Sequence, residues 1–190
     1  MVIPVRQRFS FAEYLELEES SPIKHEFLDG HVWAMAGGSP DHGAVAANII
    51  GLLAAQLRGQ PCRVFTSDVR VRVKATGLAT YPDVSVVCGS QDVDEDDPKG
   101  NTLTNPRLVV EILSPSTEDY DRGEKLAHYK RIDALDHIVL VAHEEPRIEV
   151  WRRDGDHWRL DVARGDGTAE LSDLGCELPL HDVYRNPLRG

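Results

Sequence analysis

Leu108-Val109-Val110-Glu111-Ile112-Leu113-Ser114-Pro115-Ser116 is the stretch on which the fold turns. Leu108 to Leu113 is apolar on consecutive residues apart from Glu111, the pattern of a strand covered on both faces. A carboxylate inside such a strand is costly unless a cation, a proton or hydrogen bonds compensate it. Upstream, Tyr81-Pro82-Asp83-Val84-Ser85-Val86-Val87 sets a second acid at the start of another apolar run. Downstream, Ser114 to Thr117 makes a turn, and a helix is predicted from about Asp121 to Ile132. Asp121 is its expected N-cap, Glu124 has capping-box spacing, and Lys125 lies within it. Two acids on neighbouring strands followed by a lysine is a layout suited to a divalent metal with oxygen ligands.

Working outward, Ser10 to Glu18 reads as a short helix, with Ser10 as cap and Glu13 three residues on. Lys24 to Leu28 and His31 to Ala36 flank Asp29-Gly30, a strong hairpin signal. A helix is predicted from about Asp41 to Arg58, with Val45, Ile49, Leu52 and Leu53 on one face and Gly59 as its stop. Strands are expected at Arg63 to Thr66, at Val69 to Lys74 by period-two alternation, at Val84 to Cys88 and at His137 to Ala142. Arg147 to Arg153 and His157 to Val162 read as a hairpin around Asp154-Gly155-Asp156. The pattern is α+β, a mixed central sheet flanked by helices, and residues 1–190 are expected to form one domain.

Composition sets limits on function. With 41% apolar and 28% charged residues, the chain is that of an ordinary soluble protein. No apolar run approaches the ~20 residues of a spanning helix, and the N-terminus lacks a signal-peptide core. A cytoplasmic location is expected, with no membrane partner. Cys62, Cys88 and Cys176 form neither a Cys-x-x-Cys pair nor a disulfide framework, which fits a reducing compartment, with buried packing as their expected role. The net charge of −11 weighs against standing affinity for nucleic acid. Part of it sits in Asp92 to Asp97, which reads as a solvated loop: Asp97 and Leu103 stand where a calcium loop needs glycine and glutamate.

Phosphodiester hydrolysis asks for a metal that holds the phosphate and lowers the pKa of a water. Asp83 and Glu111 supply two carboxylates, the Ile112 carbonyl a third oxygen, and Lys125 a charge for the attacking hydroxide or the phosphorane oxygens. Glu26 is open to a metal role or to pairing with Lys24 or Arg70. His42 reads first as a capping or packing histidine, Asp68 as a turn residue, Arg122 as the ion partner of Glu118, and Trp33, Trp151 and Trp158 as core or interface.

The strings Lys24 to Gly30, Gly37 to His42, Thr66 to Val71, Tyr81 to Val84, Val110 to Thr117 and Asp121 to Tyr129 together resemble, in order, the Uma-two family. That family belongs to the PD-(D/E)XK, restriction-endonuclease-like nuclease superfamily. The resemblance implies that Pro82-Asp83 matches the superfamily's PD, that Glu111 matches its second acid, and that Glu26 matches an extra N-terminal acid. Leu113 stands where the general motif has lysine; in the Uma-two pattern the lysine lies on the following helix, which Lys125 matches. The expected activity is metal-dependent hydrolysis of DNA with Mg2+ or Mn2+, by a homodimer, since one site per subunit is the simplest way to cut two strands. Two rivals stay open: a non-catalytic interaction or DNA-associated module of the same fold, and a hydrolase of RNA or another phosphoester.

Overall fold

The computed structural model describes residues 8–35, 37–186 and 188. Ala36 and the N-terminal stretch read for a signal peptide lie outside them. The elements run α1 (Phe11–Ser20), β1 (His25–Leu28), β2 (His31–Ala34), α2 (Pro40–Gln56), β3 (Cys62–Thr66), β4 (Arg70–Val73), β5 (Leu78–Thr80), β6 (Val84–Cys88), β7 (Thr102–Leu103) and β8 (Leu108–Leu113). They continue with α3 (Glu118–Tyr120), a π-turn (Asp121–Lys125), α4 (Leu126–Tyr129), β9 (His137–Ala142), β10 (Arg147–Asp154), β11 (His157–Arg164), β12 (Thr168–Leu171), β13 (Cys176–Pro179) and α5 (Leu180–Val183).

The mixed central sheet has six strands in the order β11-β10-β9-β8-β6-β3, and only β8 and β9 run parallel. Every residue of β8 and β9 is buried, as expected for strands covered on both sides. One face packs under α2, where Val45, Ile49 and Leu53 recur at helical spacing over Val84, Val86, Leu108, Val110 and Ile112. The other face carries Val109, Leu113, Ile138 and Leu140, packed with Leu126 and Tyr129 of the segment joining β8 to β9. A second, five-stranded sheet, β2-β1-β5-β4-β7, brings Val71, Val73 and Leu78 to that same core. The Asp29-Gly30 turn has both residues at positive φ, 48° and 80°, as a two-residue hairpin of this hand requires.

Three expectations are corrected. Cys62 and Cys88 are direct partners across β3 and β6 and are joined in a disulfide of 1.99 Å, while Cys176 is free and buried. Sequence distance hid a pair that sheet register brings together, and the support that unpaired cysteines lent to a reducing compartment is lost. The Asp92 to Asp97 stretch is not simply solvated: Asp94 and Asp97 are buried, against Arg72 and against Arg70 with Thr102. Asp121 is not an N-cap, because the helical segment starts three residues earlier and carries Asp121 into its buried interior. Among the described residues, no helix is long and apolar enough to cross a membrane.

Candidate active site

The chain passes from the five-stranded to the six-stranded sheet through Tyr81-Pro82-Asp83, between β5 and β6. Asp83 therefore lies at the junction, beside the end of β8. Its Oδ2 accepts a hydrogen bond from the Ile112 backbone N–H at 2.7 Å and lies 3.3 Å from His42 Nε2. Asp83 Oδ2 thus lies between the Ile112 backbone and the His42 imidazole. His42 reaches Asp83 from the first turn of α2, where Ser39 accepts the His42 backbone N–H. Gly38 makes room for the ring: a Cβ there would come within 2.8 Å of Nδ1.

Glu111 shares its side of β8 with Val109 and Leu113 and so faces the junction between the sheets. Glu26, on β1, enters from the other sheet. Lys125 Nζ stands between them, 2.9 Å from Glu26 Oε1 and 3.0 Å from Glu111 Oε1, with Asp121 Oδ1 at 3.6 Å. The π-turn sets this up: one wide turn closes on Asp121 O through Leu126 N–H and points Asp121 and Lys125 inward, followed by Tyr129. Tyr129 donates to Glu111 and Thr80 donates to Glu26, both through short hydrogen bonds.

The cluster is almost sealed. The side chains of Lys125, Glu26 and Glu111 are 4%, 4% and 7% exposed, whereas Asp83 and His42 reach 19% and 18% and form its open side. Burial pushes the Glu111 carboxyl up to about 8; Lys125 opposes this, while Asp83 and Asp121 add to it. Burial also leads the upward shift of Asp121. Burial works against the Lys125 charge, but Glu111, Tyr129, Glu26 and Asp121 outweigh it and hold the ammonium well above its ordinary range. The hydrogen bond to Asp83 leads the rise of His42 above the usual imidazole value.

Of the residues singled out from sequence, Glu26, Glu111 and Lys125 meet directly, and Asp83 with Ile112 adjoins them. Glu26 pairs with neither Lys24 nor Arg70: Lys24 holds Asp68 at 2.7 Å, and Arg70 bonds Tyr81 and Thr102. Asp68 is thus a turn residue tied to Lys24, and Arg122 pairs with Glu118 and Glu149. Asp121 and Thr80 were missed. The i,i+4 spacing of Asp121 and Lys125 was the available signal, obscured by reading Asp121 as a cap.

A metal fits these donors in one respect. Glu26 Oε2 is buried without a hydrogen-bond partner, and four carboxylates surround one ammonium and one imidazole. As the side chains stand, no three acid, histidine or cysteine groups among the described residues converge to metal-binding spacing, because Lys125 fills the centre.

A family model described as "Uma2: Putative restriction endonuclease" matches residues 11–181. The uncharacterized protein slr1290 of Synechocystis is 36% identical over 94% of this chain and 92% of its own length. A second uncharacterized Synechocystis protein, sll1609, is 30% identical over 87% and 93%. The crystal structure of a putative nuclease belonging to DUF820 from Anabaena variabilis superposes with a TM-score of 0.74 at 19% identity, covering 90% of this chain and 95% of that one. That likeness establishes a shared fold.

Proposed function

The chain belongs to the Uma2 family, a family of restriction-endonuclease-like proteins, and on that premise we propose that it hydrolyses DNA phosphodiester bonds with a divalent cation, Mg2+ or Mn2+. The observation that supports this reading is the meeting of Glu26, Glu111 and Lys125 from three distant segments, with Asp83 at the open edge.

Asp83, Glu111 and Glu26, with the Ile112 carbonyl, would hold the cation. When bound, it would supply phosphate orientation, acidification of a water and neutralisation of developing charge. The protein's own groups do the rest. Lys125 keeps its proton and presents a fixed positive charge to the attacking oxygen and the phosphorane oxygens. Tyr129 and Thr80 fix the Glu111 and Glu26 carboxylates, and the Ile112 N–H fixes Asp83. The packed junction of the sheets excludes bulk water, which strengthens each of these interactions. A cytoplasmic homodimer acting on duplex DNA completes the reading.

A second reading, a non-catalytic module of the same fold, draws on the present neutralisation of Lys125 by its acids and on the net charge of −11. Plasmid nicking with Mg2+ or Mn2+ separates the two. Wild type should nick, and Asp83→Ala and Lys125→Ala should not. Equal nicking by all three would mean contamination and end the nuclease reading.

A further inference from the structure

β11 is the last strand of the six-stranded sheet, and β10 is its only partner among the described residues. Its eight residues pair with β10 in unbroken register, with no bulge or proline to blunt the free edge. Its apolar residues also point the unexpected way. Trp158, Leu160 and Val162 pair with Arg153, Trp151 and Glu149, on the face opposite Ile148 and Val150, and leave Leu160 40% and Val162 43% exposed.

The hairpin closes through Gly155-Asp156, with Gly155 at φ 59°, so Asp154 and His157 exchange hydrogen bonds. From that closure the strand alternates. His157, Arg159, Asp161 and Ala163 turn their peptide groups toward β10, whereas Trp158, Leu160, Val162 and Arg164 turn theirs outward. We propose that β11 pairs antiparallel with β11 of a second copy, about a twofold axis through Leu160.

The sequence selects this register. Centred on Leu160, Arg159 faces the partner's Asp161 on both sides of the axis, and Trp158 faces the partner's Val162. Centring on Val162 would set Leu160 against the partner's Arg164, and centring on Trp158 would set it against the partner's Asp156. Opposite charges directly across an antiparallel pair stabilise it, and like charges oppose it. The contact is isologous and closes at two copies.

The twofold axis stands normal to the sheet at the seam, so the Leu160 side chains of both copies lie on one face there. Glu111, Leu140, Glu149 and Val162 are successive register partners across that face.

Sedimentation across micromolar concentrations tests it on the full chain without DNA. Wild type should run as a dimer. Arg159→Asp and Asp161→Arg should each weaken self-association about tenfold or more. Mixed together, these two variants should pair with one another, and the double swap Arg159→Asp/Asp161→Arg should self-associate like wild type. Circular dichroism confirms that each is folded, and the double swap keeps the charge pattern within the strand. A monomeric wild type, single variants that dimerise unchanged, or a mixture that stays monomeric would overturn the pairing; a monomeric wild type would also remove the homodimer from the proposed function, and plasmid nicking tests the phosphodiester chemistry separately.

Discussion

Lys125 Nζ lies 3.0 Å from Glu111 Oε1, and both groups are buried. An ion pair in this setting offsets two desolvation costs at once, and removing one member exposes the cost of the other. Lys125→Met leaves Glu26, Glu111 and Asp121 without their cation. The expected loss is about 3–5 kcal/mol of stability, reduced to the extent that Glu111 already holds its proton. Urea unfolding of Lys125→Met beside Lys125→Met/Glu26→Gln checks this. The second variant should recover part of the loss, and a single variant as stable as wild type would contradict the pairing.

The same residues show what was legible in the sequence. An acid inside a fully apolar strand announces itself, so Glu111 could be read from Leu108 to Leu113 alone. Asp83, at the start of its run, and Lys125 needed the order of motifs. Asp121 was hidden by its reading as a cap, although its i,i+4 spacing to Lys125 was there to see; the π-turn that begins at Asp121 shifts the helical phase by one residue, and nothing in Asp-Arg-Gly-Glu-Lys marks that shift beyond a permissive Gly123. The short strands β5 and β7 were invisible for lack of length, and the division into two larger sheets for lack of any local signal. Cys62 and Cys88 became partners only through register.

Glu111 gives the fold a pH dependence with a definite sign. Its carboxyl is raised to about 8 in the folded protein from an ordinary 4.5, so the folded state holds a proton that the unfolded chain has released. The Glu111 contribution is therefore fully present below about pH 4.5 and is lost as pH rises through about 8, at no more than ~1.4 kcal/mol per pH unit. The stability difference between wild type and Glu111→Gln, measured by urea unfolding without metal from pH 5 to 8, should move against wild type as pH increases. A flat difference would remove the buried-carboxyl account.

The proposed cation should reveal itself apart from turnover. Mn2+ or Mg2+ binding only the folded state raises the unfolding temperature in proportion to RT ln(1 + [L]/Kd). Wild type should gain thermal stability on titration with Mn2+, and Asp83→Asn and Glu26→Gln should lose most of that gain. Because Glu111 must release its proton to serve as a ligand, binding should tighten as pH rises toward 8. A gain of equal size in all three proteins would place the ion elsewhere.

Gly38 and His42 make a prediction about positioning. A Cβ on residue 38 would meet the His42 ring at 2.8 Å, and the ring's hydrogen bond to Asp83 is the leading cause of its raised pKa. Gly38→Ala should displace the imidazole and return its titration toward the ordinary value near ~6.5. Asp83→Asn should do the same by removing the carboxylate. NMR titration of the His42 ring protons reads both, and an unmoved His42 in both variants would deny the contact.

The Cys62–Cys88 bridge closes a loop across a sequence separation of 26 residues, joining β3 at the sheet edge to β6 beside the site. A cross-link of this span restricts the unfolded chain and is worth about 2–4 kcal/mol. Adding a reductant should lower the urea midpoint of wild type by a corresponding amount. Cys62→Ser/Cys88→Ser should show the lowered midpoint with and without reductant. Cys176→Ser, which removes the buried free thiol, should retain the reductant response. If wild type is indifferent to reductant while a free-thiol assay shows that the bridge has opened, the bond contributes nothing and β3 is held by its pairing with β6 and its packing against the core under α2.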